Sequence, residues 1–256
     1  MKRRDFLLRS ACTAGAAWLD SAAFPHRARA LTLRPLPRKF SASDTVTLGK
    51  TGIQTSRLAM GTGTVGAGHH SHQTALGIQG LAELLLNGYE HGLRFFDAAD
   101  SYGSHPHVAE ALKHVPRDKV TVLTKTWARD AASARADLDR FRRELGTDHI
   151  DICLMHCLTE GDWTDRYKGV MDVLSEAKEK GIIRAHGCSC HSIEALRTAT
   201  KSSWVEVHLV RVNPIGSFMD ADPDTVASVT IGALTYWALD AIKNRYLKAP
   251  GPLVDA

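Results

Sequence analysis

Asp97, Tyr102, Lys125 and His156 are residue types that together suit proton transfer to a developing alkoxide. A phenol can give up its proton when a nearby ammonium stabilises the phenolate, and a carboxylate keeps that ammonium charged. A neutral imidazole beside the phenol would orient a carbonyl group. The stretch 92–103 reads GLRFFDAADSYG. Leu93 to Phe96 are apolar enough for a buried strand, Asp97 falls at its end, and Tyr102 follows on a glycine-flanked turn. Lys125 closes the run Leu123-Thr124-Lys125, and His156 closes Leu154-Met155-His156. Each residue also has a plainer reading. Asp97 and Lys125 could be a structural ion pair, Tyr102 a loop-packing phenol and His156 a hydrogen-bonded strand-end histidine.

The elements that must position these groups alternate along the chain. Strands are expected at 93–97, 120–125, 150–156, 183–189 and 205–212, with helices at 106–115, 131–145, 170–180 and 192–200 between them. Asp97, Lys125, His156 and Ser189 are separated by 28, 31 and 33 residues. That is the length of a strand plus a crossover helix, so the sheet is parallel and its C-terminal ends share one face. A first barrel strand is expected at 57–61, then a glycine-rich loop and the His69, His70 and His72 cluster, read as a mobile loop or, alternatively, a metal site. A helix follows at 74–89 with Leu76, Ile78, Leu81, Leu84 and Leu85 as its core stripe. Ahead of these, 45–55 reads as a hairpin. After the sixth barrel strand, 213–224 lacks helical periodicity, 227–234 looks like a strand and 236–247 like an amphipathic helix. The fold class is α/β, a TIM (β/α)8-type barrel with about seven strands and thus incomplete.

The four polar residues match the Asp, Tyr, Lys and His tetrad of the aldo-keto reductases, and the chain resembles that family from about Thr45 to Arg211, more weakly from Val229 to Leu247. The run MHCLTEGDWTDRYKGVMDVLSEAKEKGIIRAHG and the segment GCSCHS resemble bacterial exported members. The resemblance implies an NAD(P)H-dependent reductase of a small carbonyl substrate, with Tyr102 as general acid, Lys125 and Asp97 tuning it, and His156 placing the substrate oxygen. NADPH is the implied cofactor, with NADH possible. Gly61 and Thr62 would face its ribose, and Ser189, with Cys190 in place of the usual Asn, would meet its carboxamide. The hairpin would plug the bottom of the barrel. Roughly one βα repeat near the C-terminus is missing from the family pattern, as are the aromatic and the cationic loop that clasp the dinucleotide. A second reading follows: a shortened homologue without effective cofactor binding, acting as a binding or structural protein or inactive.

The 256 residues, 44% hydrophobic, suffice for one barrel. Residues 1–30 hold six of the 32 Lys/Arg and two of the 28 Asp/Glu, so the remainder carries 26 of each sign. This balance argues against nucleic acid. The basic excess lies in MKRRDFLLRSACTAGAAWLDSAAFPHRARA, which resembles a twin-arginine signal peptide, with Arg3 and Arg4 ahead of Asp5-Phe6-Leu7. Its apolar run is too short and too polar for a stable membrane anchor. The expected organisation is signal 1–30, linker 31–44 and barrel domain 45–256. The protein would fold in the cytoplasm, engage the twin-arginine export machinery and reach the periplasm. Cys153, Cys157, Cys188 and Cys190 are read as buried thiols, with a disulfide or a Cys/His metal site as alternatives; no metal is assigned. Strand alternation places Cys157 opposite His156. An open sheet edge would favour self-association.

Overall fold

The computed structural model describes residues 40–211. The chain divides into two units, Met1–Phe40 and Ser41–Ala256. The predicted signal peptide, residues 31–39 of the linker, and the segments read at 213–224, 227–234 and 236–247 lie outside the described residues.

A short antiparallel hairpin comes first, β1 (Thr45–Thr47) with β2 (Gln54–Ser56). Residues expected to belong to the linker extend it, because Arg57 N–H donates to the Asp44 carbonyl and Leu58 N–H to that of Ala42. Six parallel strands then lie side by side in chain order: β3 (Met60–Gly61), β4 (Phe95–Asp97), β5 (Thr121–Thr126), β6 (Ile150–Leu158), β7 (Ile183–Cys190) and β8 (Val207–Leu209). The sheet curls into a half-barrel. Its crossover helices are α1 (Gly77–Glu90), α2 (His105–Leu112), α3 (Ala131–Leu145), the short α4 (Trp163–Arg166) with α5 (Lys168–Glu179), and α6 (Ile193–Lys201). Helix starts and stops follow local chemistry. Asp130 caps α3 by accepting from Ser133 N–H at 2.9 Å, Ser192 caps α6 through Ala195 N–H at 3.0 Å, and Gly146 ends α3 in the left-handed region.

Two apolar layers follow from the period-2 alternation of the strands. The outer layer, between sheet and helices, holds Phe96, Val122, Cys153, Met155 and Cys188 against Leu81, Leu85, Phe141, Val173 and Leu196. The inner layer holds Phe95, Leu123, Ile152, Leu154, Ala185 and Val207, together with Leu48 and Ile53 from the hairpin connection. Leu48 and Ile53 are almost fully buried, each worth about 1.5–3 kcal/mol of apolar burial. The hairpin thus fills the lower interior and leaves the upper interior to the inward residues nearest the strand C-termini.

Three expectations change. Of the α1 stripe, Leu81 and Leu85 are buried, but Leu76, Ile78 and Leu84 are 56%, 47% and 45% exposed. The buried face runs Leu81, Ala82, Leu85, Gly88, a narrower arc than the expected stripe, and Leu76 sits in a separate turn before α1. The turn of helix at α4, absent from the sequence reading, is pinned by Trp163, whose indole N–H donates to the Ala195 carbonyl. The alternation along β6 also breaks. Cys157 has φ of +56°, and the pairing with β7 shifts between Met155 and Leu158. The bulge turns Cys157 out of the outer layer and into the cavity lined by His156.

Candidate active site

The alternation that puts Phe95, Leu123, Ile152 and Ala185 in the inner layer carries Asp97, Lys125, His156 and Ser189 to the same inner face at the strand ends. Lys125 is fully buried. Its ammonium pairs with the Asp97 carboxylate, donates to the Ala98 carbonyl at 2.9 Å, and reaches the Tyr102 hydroxyl at 3.5 Å. All three of its N–H directions therefore have partners. The same nitrogen lies 4.8 Å from the Tyr102 ring centre, close enough for a cation–π attraction.

His156 stands on the other side of the phenol. The two rings meet edge-on with centres 5.6 Å apart. Burial, then the positive charge of Lys125, pushes the His156 pKa down to about 3; the imidazole is therefore neutral near pH 7. One ring nitrogen lies 3.4 Å from the Ser101 hydroxyl, and the Arg129 guanidinium donates to the His156 carbonyl at 2.8 Å. A cavity of about 590 Å³ opens above, lined in part by Tyr102, Trp127, His156, Cys157 and His191.

The four expected catalytic side chains are thus brought together. The expected cofactor residues fare unevenly. Gly61 is exposed at the end of β3, and Ser189 sits on the inner face of β7. Thr62 is fully buried, its hydroxyl bonded to the Asp97 carbonyl and to Ser104, so it braces the strand end. Cys190 faces the outer layer, its sulfur 3.7 Å from that of Cys188; its side chain does not join Ser189. Cys153, Cys157, Cys188 and Cys190 are all free thiols, and burial raises the Cys153 pKa to about 12.

Sequence reasoning missed the residues around the tetrad. Trp127 follows Lys125 by two, so alternation alone would have put it on the same face; its ring lies 5.2 Å from that of His156. Behind Tyr102, Arg140 donates to Asp100 at 2.7 Å and to Glu144 at 3.1 Å, while buried His105 bridges Glu144 and Thr124 at 2.7 Å each. Glu144 is held below the usual carboxylate range, first by His105 and then by Arg140. Asp100, His105 and Glu144 form the one ligand-like cluster among the described residues, and the Arg140 cation already occupies it. The His69, His70 and His72 loop is tied down: His69 N–H donates to the Ser101 carbonyl, and His72 N–H to that of Thr64.

Comparison with known proteins agrees with this geometry. The profile of the Aldo/keto reductase family matches residues 57–217. The NADH-specific methylglyoxal reductase of Escherichia coli is 29% identical over 167 residues, covering 56% of this chain and 51% of that protein. Aldo-keto reductase YhdN of Bacillus subtilis is 30% identical over 168 residues, covering 58% and 47%. The chain therefore spans about half the length of these curated relatives. The structure of a Bombyx mori aldo-keto reductase in complex with NADP superposes with a TM-score of 0.55 at 21% identity, over 68% of this chain and 60% of that one. A parallel half-barrel with the tetrad gathered at its strand ends, matched by the family profile over more than half its length, belongs to the aldo/keto reductase family.

Proposed function

We propose that the protein reduces a small aldehyde or ketone to an alcohol, using a reduced nicotinamide cofactor. The reading rests on one observation, the Lys125 ammonium in contact with both the Asp97 carboxylate and the Tyr102 hydroxyl. When bound, the cofactor would supply hydride to the carbonyl carbon, which no side chain can do. Gly61, exposed at the end of β3, and Ser189, buried on the inner face of β7, lie at strand ends on the same side of the sheet, where the family resemblance would put the nicotinamide end of such a molecule. The interval in which the family's dinucleotide-clasping loop would fall lies beyond residue 211, outside the described residues, and its sequence shows neither the expected aromatic nor the cationic loop.

The remaining chemistry belongs to the chain. As negative charge grows on the substrate oxygen, Tyr102 gives it a proton, and Lys125 stabilises the phenolate left behind. Asp97 keeps Lys125 charged in its buried position. Neutral His156 donates a hydrogen bond to the same oxygen without competing for the proton. Trp127 supplies an apolar wall at the cavity mouth. Fluorescence titration with NADPH and NADH, followed by a carbonyl-dependent assay of cofactor oxidation, tests the reading and decides the cofactor. Binding and turnover that fall away in Tyr102→Phe support it.

The absence of the family's aromatic and cationic loop from the sequence after residue 211 favours a second reading, a homologue that keeps the tetrad without gripping a dinucleotide. Failure of both cofactors to bind purified protein selects it. We also propose that residues 1–30 direct export of the folded protein to the periplasm, on the strength of Arg3-Arg4-Asp5-Phe6-Leu7. Replacing Arg3 and Arg4 by lysine should hold the protein in the cytoplasm; unchanged export would refute this.

A further inference from the structure

The loop between β3 and α1 makes an arrangement that the tetrad does not account for. A Cβ at Gly63 would lie 2.3 Å from Cε2 and 2.4 Å from Cζ of Tyr102. At Gly66 a Cβ would lie 2.3 Å from Cδ1 and 2.8 Å from Cε1 of the same ring, and 2.9 Å from the Gly63 carbonyl oxygen. The two glycines therefore press on opposite edges of one phenol, and no other side chain fits at either place. We propose that Gly63 and Gly66 are positioning residues for Tyr102, a two-sided seat that fixes the ring so that its hydroxyl stays within reach of Lys125.

The seat has little room to retreat. Gly66 N–H donates to the Gly63 carbonyl at 2.9 Å, and Ala67 and His70 bond each other's backbone. Gln73 brackets Thr64, accepting from its N–H at 2.9 Å and donating to its hydroxyl at 2.7 Å. The loop is also clamped to the turn that carries the phenol. His69 N–H donates to the Ser101 carbonyl at 2.9 Å, and a Cβ at Gly103 would lie 2.1 Å from the His69 carbonyl oxygen. Thr62 holds the start of the loop through the Asp97 carbonyl, and Ser71 donates to the Thr62 carbonyl at 2.7 Å. With the loop braced along its length, an added methyl moves the ring instead of the backbone. Because Tyr102 already lies 3.5 Å from Lys125, any outward movement breaks that contact.

This inference rests on the reductase reading, so its test needs a readout that does not depend on turnover. Gly63→Ala and Gly66→Ala are made in the full chain, with Gly169→Ala, whose Cβ would meet only ordinary contacts, as the control. Tyrosine labelled with ¹³C at Cζ reports each phenol, and Tyr102→Phe assigns one of the five resonances. The expected result is a displaced Tyr102 resonance in both loop variants, the other four unmoved, and no change in Gly169→Ala. In the unmodified protein the same seat predicts slower ring flips for Tyr102 than for the other tyrosines, which needs no variant to fold.

Where turnover is measurable, kcat should fall about 10²-fold, the cost expected of a reacting group misplaced by about 1 Å. Dinucleotide affinity should stay within about threefold, since the phenol's placement enters the proton step. In a Tyr102→Phe background the loop substitutions should cost nothing further, the non-additivity expected of residues acting through one group. An unmoved Tyr102 resonance in folded variants, or fast flips in the unmodified protein, overturns the proposal. A displaced resonance in a protein without reductase activity overturns the reductase reading and leaves the seat supported.

Discussion

The carboxylate of Asp97 and the ammonium of Lys125 form an ion pair beneath the cavity, the lysine fully buried and the aspartate 23% exposed. Asp97→Asn removes the charge that offsets a desolvated ammonium. Breaking a buried pair from one side costs about 3–5 kcal/mol, so chemical denaturation should show a loss of that order. Lys125→Met should restore part of it while leaving the phenol without its cation, separating stability from chemistry.

Tyr102→Phe deletes one oxygen without changing the ring. General acid catalysis contributes about 10²–10⁴-fold, and turnover should drop within that range while cofactor titration is unchanged. A drop smaller than tenfold would mean that another group supplies the proton.

Acid should destabilise the protein well above the carboxylate range. His156 is held at about 3 in the folded chain against an ordinary value of 6.5, so the unfolded chain binds a proton that the folded chain refuses between those limits. Stability from this group is therefore complete above pH 6.5 and declines as pH falls toward 3, at up to about 1.4 kcal/mol per pH unit. Burial lowers His186 and His208 as well, which steepens the decline. His156→Gln should flatten the profile of melting temperature against pH over this range.

Cys157 holds a backbone conformation that costs an L-residue about 1–2 kcal/mol. Cys157→Gly should leave thermal stability equal or higher, whereas Cys157→Val should lower it. Cys153, Cys188 and Cys190 are buried. A thiol reagent applied to the native protein should therefore modify Cys157 ahead of those three.

Much of this was legible in the sequence because strands and crossover helices leave periodic marks. The spacing of Asp97, Lys125 and His156 located three strand ends on one face, and the run 131–145 announced α3 at the bounds it takes. What stayed hidden depends on contacts between distant segments. Nothing local distinguishes Leu84 from Leu85, yet one is exposed and the other buried, because only the docking angle of α1 separates them. The bulge at Cys157 defeated a strict period of two. Arg140 reads as one more charge on a polar helix, and only the fold brings it to Asp100, 40 residues earlier. The steric role of Gly63 and Gly66 depends on a ring some forty residues away, so composition showed only a flexible loop.

Among the described residues, every barrel strand lies beside the one made just before it. Each βα unit after the first can therefore settle against a finished neighbour as it leaves the ribosome. Loop closure at this range is modest in entropy, and order of emergence becomes order of assembly. The catalytic floor would then be laid down in sequence: first the carboxylate, next the phenol, after it the ammonium that needs both, and last the imidazole.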